Sequence, residues 1–317
     1  MSFEEFYNKL NPELKKYYEI ICPVFPKFLI PFIESKTLQR LDKISYFCGS
    51  FYGSPFIFNF KYDVSRLEHS ISTALIVWMH TFDEMQTLAA LFHDATTPAF
   101  SHVIDYLNGD ALTQESTELD LVDYLKENDP ELLKLFKNKG VDIRKVANFK
   151  DYSLVDNERP RMCADRLDYI FVANLAWSRE VSIEEVRELY ENVIIRKNED
   201  GLDEFSVIDI CSADRLVELN DIVNLMTKWK CEYTSMNMLA LMVSKLISKG
   251  IICYDDLFVL TDLDVYKLIE EECKKDSDFD KLYREFKALP FDNSITSGLT
   301  KDRKINPLVK DIRYSTF

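Results

Sequence analysis

Residues 87–93, TLAALFH, offer almost no polar surface, and the residue that follows them is Asp94. A helix that is apolar all round has to be buried, so this chain is obliged to carry an imidazole and a carboxylate inward at the end of a buried helix. Pro98 breaks the helix soon afterwards. An unpaired carboxylate in such a place costs several kcal/mol, and a cation is the partner that removes the cost. All four histidines, His69, His80, His93 and His102, fall between residues 69 and 102. Adjacent helix positions diverge by about 100°, so His93 and Asp94 reach one ion from a helix end while neighbouring helices, among them the one carrying His69, supply further ligands. Imidazoles with carboxylates select one divalent ion of the group Mn, Fe, Ni, Zn, Co or Mg over thiophilic ions. His80 stands ~16 Å further along its helix than His69 and reads as a helix-face histidine.

Only 7 glycines in 317 residues, with 47% apolar residues, favour a mainly α, compact chain over a barrel or a sandwich. The net charge of −15 argues against non-specific binding to nucleic acid and against anionic membranes. A phosphate-bearing substrate therefore needs a locally basic pocket or a metal. The 7 cysteines are scattered without C-x-x-C spacing, which predicts neither a disulfide framework nor a cysteine zinc site and suits a reducing cytoplasm. The N-terminus has no basic segment leading into an apolar run and does not read as a signal peptide. The most apolar stretch, residues 20–33, is interrupted by Pro23, Pro26, Lys27 and Pro31 and falls short of the ~20 residues a membrane span requires, so it reads as a buried connection.

Periodicity predicts helices at about 35–47, 65–82, 87–93, 115–127, 130–138 and 160–177, then a long helix with a bend or break over 213–249 and acidic helices over 254–288. Residues 51–62 read as a short hairpin or ordered loop. Residues 192–211, around the turn signal Asn198–Gly201, read as a β-hairpin. The tail from Pro290 is less regular and partly extended. The chain divides on this reading into an N-terminal segment (1–33), a core (34–180), and a hairpin with a C-terminal helical lobe packed on that core (181–317).

Four motifs, QRLDKI at 39–44, RLEHS at 66–70, LFHDATTPAFSH at 91–102 and DRLDYI at 165–170, together resemble the HD-domain superfamily of metal-dependent phosphohydrolases, in particular its deoxynucleoside triphosphate triphosphohydrolase branch. The resemblance runs from about residue 34 to 270 and weakens beyond Trp177. It implies a helical HD core with His69, His93, Asp94 and Asp165 as metal ligands, and a phosphorylated small molecule, a nucleotide foremost, as substrate. It is also compatible with a homo-oligomer. On the substrate side it implies Arg66, one helical turn from His69, and Arg166 as phosphate clamps, Tyr169 stacking on a sugar, and Lys228, Lys230 and Tyr233 as phosphate and base contacts. Tyr46 replaces a sugar-reading glutamine.

The chain also departs from that family. Thr97 stands where HD-x-GH-x-P carries a second histidine, and Gln114 occupies the place of the proposed catalytic histidine if LTQESTELDLVDYL is aligned with the family's T-H-E-Q segment. Glutamine cannot deliver a proton. The proton role then passes to Glu115 or His102, or activated water alone suffices for a good leaving group, or the chain is a silent nucleotide sensor. Gln114 and Glu115 read equally as a helix N-terminus capped by Thr113. A dinuclear-iron oxygenase is weaker, because Thr97 and Gln114 remove the extra histidines it would need.

Overall fold

The computed structural model describes residues 1–316. The chain is mainly helical with one small sheet, as its composition predicts. Helices α1 (Phe3–Lys9) and α2 (Pro12–Ile21) open it, α2 with Asn11 as cap and proline in its first turn. Tyr17 and Ile21 of α2 are fully buried. The apolar stretch that follows contains α3 (Ile30–Ile33), with Phe32 and Ile33 in the core, and leads into α4 (Lys36–Leu41).

The central element is α5 (Arg66–Thr81). Ser65 and Glu68 close a capping box at its start, and its side chains are buried from Leu67 through Val77 with the sole exception of Glu68. Phe82 (φ 50°) turns the chain back, Asp83 caps α6 (Glu84–Phe92), and α6 packs along α5. Next come α7 (Val103–Leu107), α8 (Leu121–Asn128), α9 (Pro130–Asn138) and α10 (Ile143–Ala147). Helix α11 (Ala164–Ala173) also lies against α5 and ends in a π turn at Asn174–Ser178. The end of α6 and the start of α11 thus meet the first turns of α5.

After α12 (Ile183–Glu191), the expected hairpin forms from β1 (Val193–Lys197) and β2 (Asp203–Val207), with Ile195 opposite Phe205. The irregular tail adds two short strands, β3 (Leu308–Val309) parallel to β2 and β4 (Ile312–Arg313) antiparallel to β3. The predicted long helix is two, α13 (Ile210–Met226) and α14 (Lys230–Ser248), separated at residues 227–229. Helices α15 (Asp262–Cys273) and α16 (Ser277–Lys287) follow, and one hydrophobic cluster runs from Phe6 to Val309. Residues 51–62 are an ordered loop of turns rather than a hairpin. No described helix is long and apolar enough to cross a membrane, and all seven cysteines are unpaired.

The helix predicted over 115–127 begins only at Leu121. Thr113 caps nothing: Asp110 accepts its hydroxyl and takes the backbone N–H groups of Glu115 and Ser116 at 2.9 and 3.0 Å, while Gln114 adopts φ 56°. A short carboxylate has captured the donors a helix would have used, and α8 starts only after Asp120.

Gly49 is required by close approach. A Cβ there would lie 2.6 Å from Val103 Cγ2 on α7 and 2.7 Å from Leu239 Cδ2 on α14. We expect Gly49→Ala to cost about 1–3 kcal/mol as an overpacking change, read as a lower urea midpoint at unchanged slope. An unaltered midpoint would show that α7 and α14 yield freely.

Candidate metal centre and its cavity

His69 leaves the first turn of α5, His93 and Asp94 follow the last residue of α6, and Asp165 lies in the first turn of α11. Their ligand atoms converge. His69 Nε2 is 3.2 Å from His93 Nε2 and 3.1 Å from Asp165 Oδ1. Asp94 Oδ2 lies 3.9 Å from His69 Nε2 and 3.7 Å from His93 Nε2. Ligand bonds of ~2.0–2.2 Å place neighbouring donors roughly 3–3.5 Å apart, close to these separations. The tightest group is His69, His93 and Asp165, with Asp94 at its edge because Arg66 also holds it.

The protons on the two rings are fixed by what each Nδ1 meets. His69 Nδ1 is 2.6 Å from a carboxylate oxygen of Asp168, and His93 Nδ1 is 2.7 Å from the carbonyl of Ala90. Both partners can only accept, so both Nδ1 atoms donate. Neutral imidazoles then turn two bare Nε2 lone pairs toward each other and toward two carboxylates. One proton can satisfy one such pair, whereas an ion satisfies all four donors, so the residues present fit a divalent metal. Asp168 is completely buried and accepts the Tyr17 hydroxyl at 2.7 Å, which orients the His69 ring from behind. A second group, Asp156, Cys163 and Asp165, is also close-set. It already has its cation, since the Arg166 guanidinium contacts Asp156 at 3.2 Å and Cys163 at 3.1 Å, and burial pushes the Cys163 thiol up to about 12.

Burial opposes a charge on His69, yet hydrogen bonds to Asp165 and Asp168 outweigh it and lift its pKa to about 9. A raised pKa means that the metal-free protein carries this proton below pH 9 and that an arriving ion must expel it. We expect uptake of Mn²⁺ at pH 7 to release about one proton, with affinity falling roughly tenfold per pH unit on acidification. Titration calorimetry in buffers of different ionisation enthalpy reads this directly. Binding without proton release would remove His69 from the ligand set.

Arg66 is engaged rather than free. Its guanidinium bonds Asp94 Oδ2 at 2.7 Å and Ser101 Oγ at 3.0 Å, and it lies over the Tyr46 ring, which in turn stacks on His69. Burial would raise the Asp94 carboxyl, but Arg66 and the two histidines hold it far below the usual range. Ser101 reaches Arg66 from a loop in which Phe100 and Ser101 both have positive φ, at 62° and 51°. That loop is tied down by the buried Asp262, which accepts N–H bonds from Phe100 and Ser45.

These groups open onto a cavity of about 500 Å³. Arg66, Arg166, Tyr169, Tyr46, Thr97, His102 and Gln114 all line it, with His93, Asp94 and Asp165. His102 Nδ1 bonds Asp105 at 2.9 Å, and burial holds its pKa down against that carboxylate. Four sequence candidates are not brought to the wall. Glu115 faces solvent, because the Asp110 turn directs only its backbone inward. Lys228 donates to Asp302 at 2.6 Å and Lys230 lies 3.8 Å from Asp292, since the tail folds over the α13–α14 break at Trp229 and Ile295. Tyr233 packs behind the lining residue Tyr106, their ring centroids 5.8 Å apart. His80 donates to Ile76 O at 2.9 Å, away from the cavity, as a helix-face histidine.

The sequence reading missed Lys150, Arg159, Glu232, Lys301 and Arg303, which line the same cavity. Glu232 is buried and accepts the Ser50 hydroxyl at 2.6 Å, and burial lifts its carboxyl to about 7. Lying between Lys230 and Tyr233 on a helix, it read as one more charged residue and gave no signal of its burial. Arg159, Lys301 and Arg303 come from irregular segments, where an isolated cation reads as surface.

No family model matches the chain. Over 164 residues it is 25% identical to the uncharacterized protein YdhJ of Bacillus subtilis, covering 52% of this chain and 48% of that protein. Over 141 residues it is 30% identical to the metal-dependent phosphohydrolase cns2 of Cordyceps militaris, covering 44% of this chain and 39% of that one. The matched segments span less than half the length of either relative.

Proposed function

We propose that the chain is an HD-type, metal-dependent hydrolase of a phosphoester in a small molecule, a nucleotide foremost, and of the triphosphohydrolase branch within that superfamily. The observation that carries the reading is the convergence of His69, His93, Asp94 and Asp165 beside a cavity walled by Arg66, Lys150, Arg159, Arg166, Lys301 and Arg303, in a chain of net charge −15. The locally basic pocket and the metal donors that a phosphate requires occur together. Similarity to a protein named a metal-dependent phosphohydrolase supports the same class.

His69, His93, Asp94 and Asp165 would hold a divalent ion, whose Lewis acidity would activate water and polarise phosphorus. The chain's own groups do the rest. Asp168, itself fixed by Tyr17, accepts the His69 Nδ1 proton and so aims Nε2 at the other donors, and Arg66 fixes Asp94 while neutralising phosphate charge in the cavity. Arg166 is held by Asn157 and Asp156 at the wall, where its charge serves the same end. Tyr169 offers a flat face to a base or sugar. The proton for the leaving oxygen comes from Glu232, which retains it up to about pH 7, with His102 as the neighbouring neutral imidazole.

A panel of nucleotides and sugar phosphates with Mn²⁺ or Co²⁺, followed by product identification, tests the reading. Turnover should fall as pH rises through 7 on the acid-donor limb, and Glu232→Gln should lower kcat about 10²-fold without changing metal content. Gln114, locked to Arg303, favours one second reading, a nucleotide-binding sensor. Tight nucleotide binding with no product under any metal would establish that instead.

A further inference from the structure

We propose that Arg159, Lys301 and Arg303 form an anion subsite of their own, built to hold an anionic group of the substrate other than the phosphoryl group attacked beside the metal donors. The chain has 54 acidic against 39 basic residues, so a cation facing inward ordinarily finds a carboxylate. Neighbouring cations do: Arg161 pairs with Asp200, Arg166 with Asp156 and Lys228 with Asp302. Among the described residues, Arg159, Lys301 and Arg303 have no carboxylate partner within ion-pair distance, although all three line the cavity.

The hydrogen-bond partners of Lys301 and Arg303 are neutral. Lys301 Nζ donates to Thr113 O at 2.7 Å, while Arg303 donates to Gln114 Oε1 and, at 3.4 Å, to Lys301 O. Arg303 is further fixed through its backbone N–H, which donates to Asn224 at 2.8 Å. Lys301 and Arg303 are therefore held in place by an amide and carbonyls, and none of the three cations has a carboxylate within ion-pair distance. Its members also disfavour one another. Burial, then Arg166 and Arg303, bring Arg159 down to about 10, and burial, then Arg303 and Arg159, lower Lys301. Like charges gathered in a partly dry wall are stable once an anion sits among them.

Gln114 has a part in this arrangement. An imidazole at its position would compete as a cation, whereas its amide oxygen accepts from Arg303 and keeps the guanidinium aimed along the wall. Lys301 and Arg303 lie in the tail, beyond the residues that resemble the HD superfamily, so two of the three cations come from the C-terminal segment and only Arg159 from the stretch that carries the resemblance. The substrate class it fits is a phosphoester carrying at least one more anionic group, such as a further phosphoryl group, a carboxylate or a second phosphate on the same molecule.

The substrate assignment rests on the hydrolase reading, but the subsite is tested without turnover. Full-length protein stripped of metal on a chelating resin is titrated with inorganic pyrophosphate by calorimetry. Wild type should bind, and Arg159→Gln combined with Lys301→Gln should weaken binding roughly 100-fold, about tenfold for each charge-assisted contact removed. Asp165→Asn should retain binding. Circular dichroism and melting of the double variant confirm folding, and Arg159→Gln alone, which removes no hydrogen bond, should lower affinity about tenfold. No binding to wild type, or equal binding by the double variant, overturns the subsite and leaves the hydrolase reading standing. Anion binding that survives in a protein with no turnover would separate the two in the opposite direction.

Discussion

Asp165→Asn should lower metal-dependent phosphate release by roughly 10⁴-fold or more, because losing a ligand carboxylate removes the ion that would activate water. The amide keeps the size of the side chain but halves the carboxylate charge in the set and brings an N–H₂ toward His69 Nε2, which lies 3.1 Å from Asp165 Oδ1. Folding should be nearly untouched, since Asp165 is about a third exposed and its neighbour Arg166 keeps Asp156. Metal content after dialysis should drop to background while the circular dichroism spectrum stays that of wild type. Asp168→Asn should act through the ring behind the ion and weaken metal binding about 10–100-fold, with partial activity recovered at high Mn²⁺. Full activity of Asp165→Asn would remove this residue from the centre.

Arg66→Ala should be the most destabilising single change at the site. It leaves Asp94 with its guanidinium gone in a place only 17% exposed, and stranding one member of a buried pair costs about 3–5 kcal/mol. We expect about 3 kcal/mol in metal-free protein, by urea denaturation. Asp94 is ionised in the native state at a depressed pKa, so the pair's contribution is present at neutral pH and is lost on acidification, once the carboxylate is protonated. Saturating Mn²⁺ should restore part of the loss, about 2.7 kcal/mol at a hundredfold excess over Kd, since the ion takes over the charge of Asp94. Arg66→Ala with Asp94→Asn should be more stable than Arg66→Ala alone. A loss below about 1 kcal/mol would mean that water reaches the pair freely.

How much of this could be read from the sequence depends on where the signal was stored. His93 and Asp94 were legible locally, because the apolar run before them leaves a carboxylate no alternative to a partner. Asp165 lies 71 positions beyond Asp94 and was reached only through the resemblance of its motif. Tyr17 was invisible as the residue that steadies Asp168, since on α2 it is simply an apolar position of an amphipathic helix. Helices α5, α6, α9 and α11 follow periodicity, α7 and α10 are too short to show it, and α8 starts at 121 instead of 115 because the Asp110 side chain has taken the donors of the preceding residues. Lys228 and Lys230 were carried across a helix break that shifts register, and the tail that covers them has no pattern of its own. The same tail supplies Lys301 and Arg303, so the basic wall arises from tertiary contact between segments that are far apart in the chain.

The position of a bound ion is the most direct test of the metal centre. Crystals soaked in MnCl₂ and measured at the manganese absorption edge should show one anomalous peak per chain, within bonding distance of His69 Nε2, His93 Nε2, Asp94 and Asp165. No peak at that position, or a peak lodged instead among Asp156, Cys163 and Asp165, would contradict it.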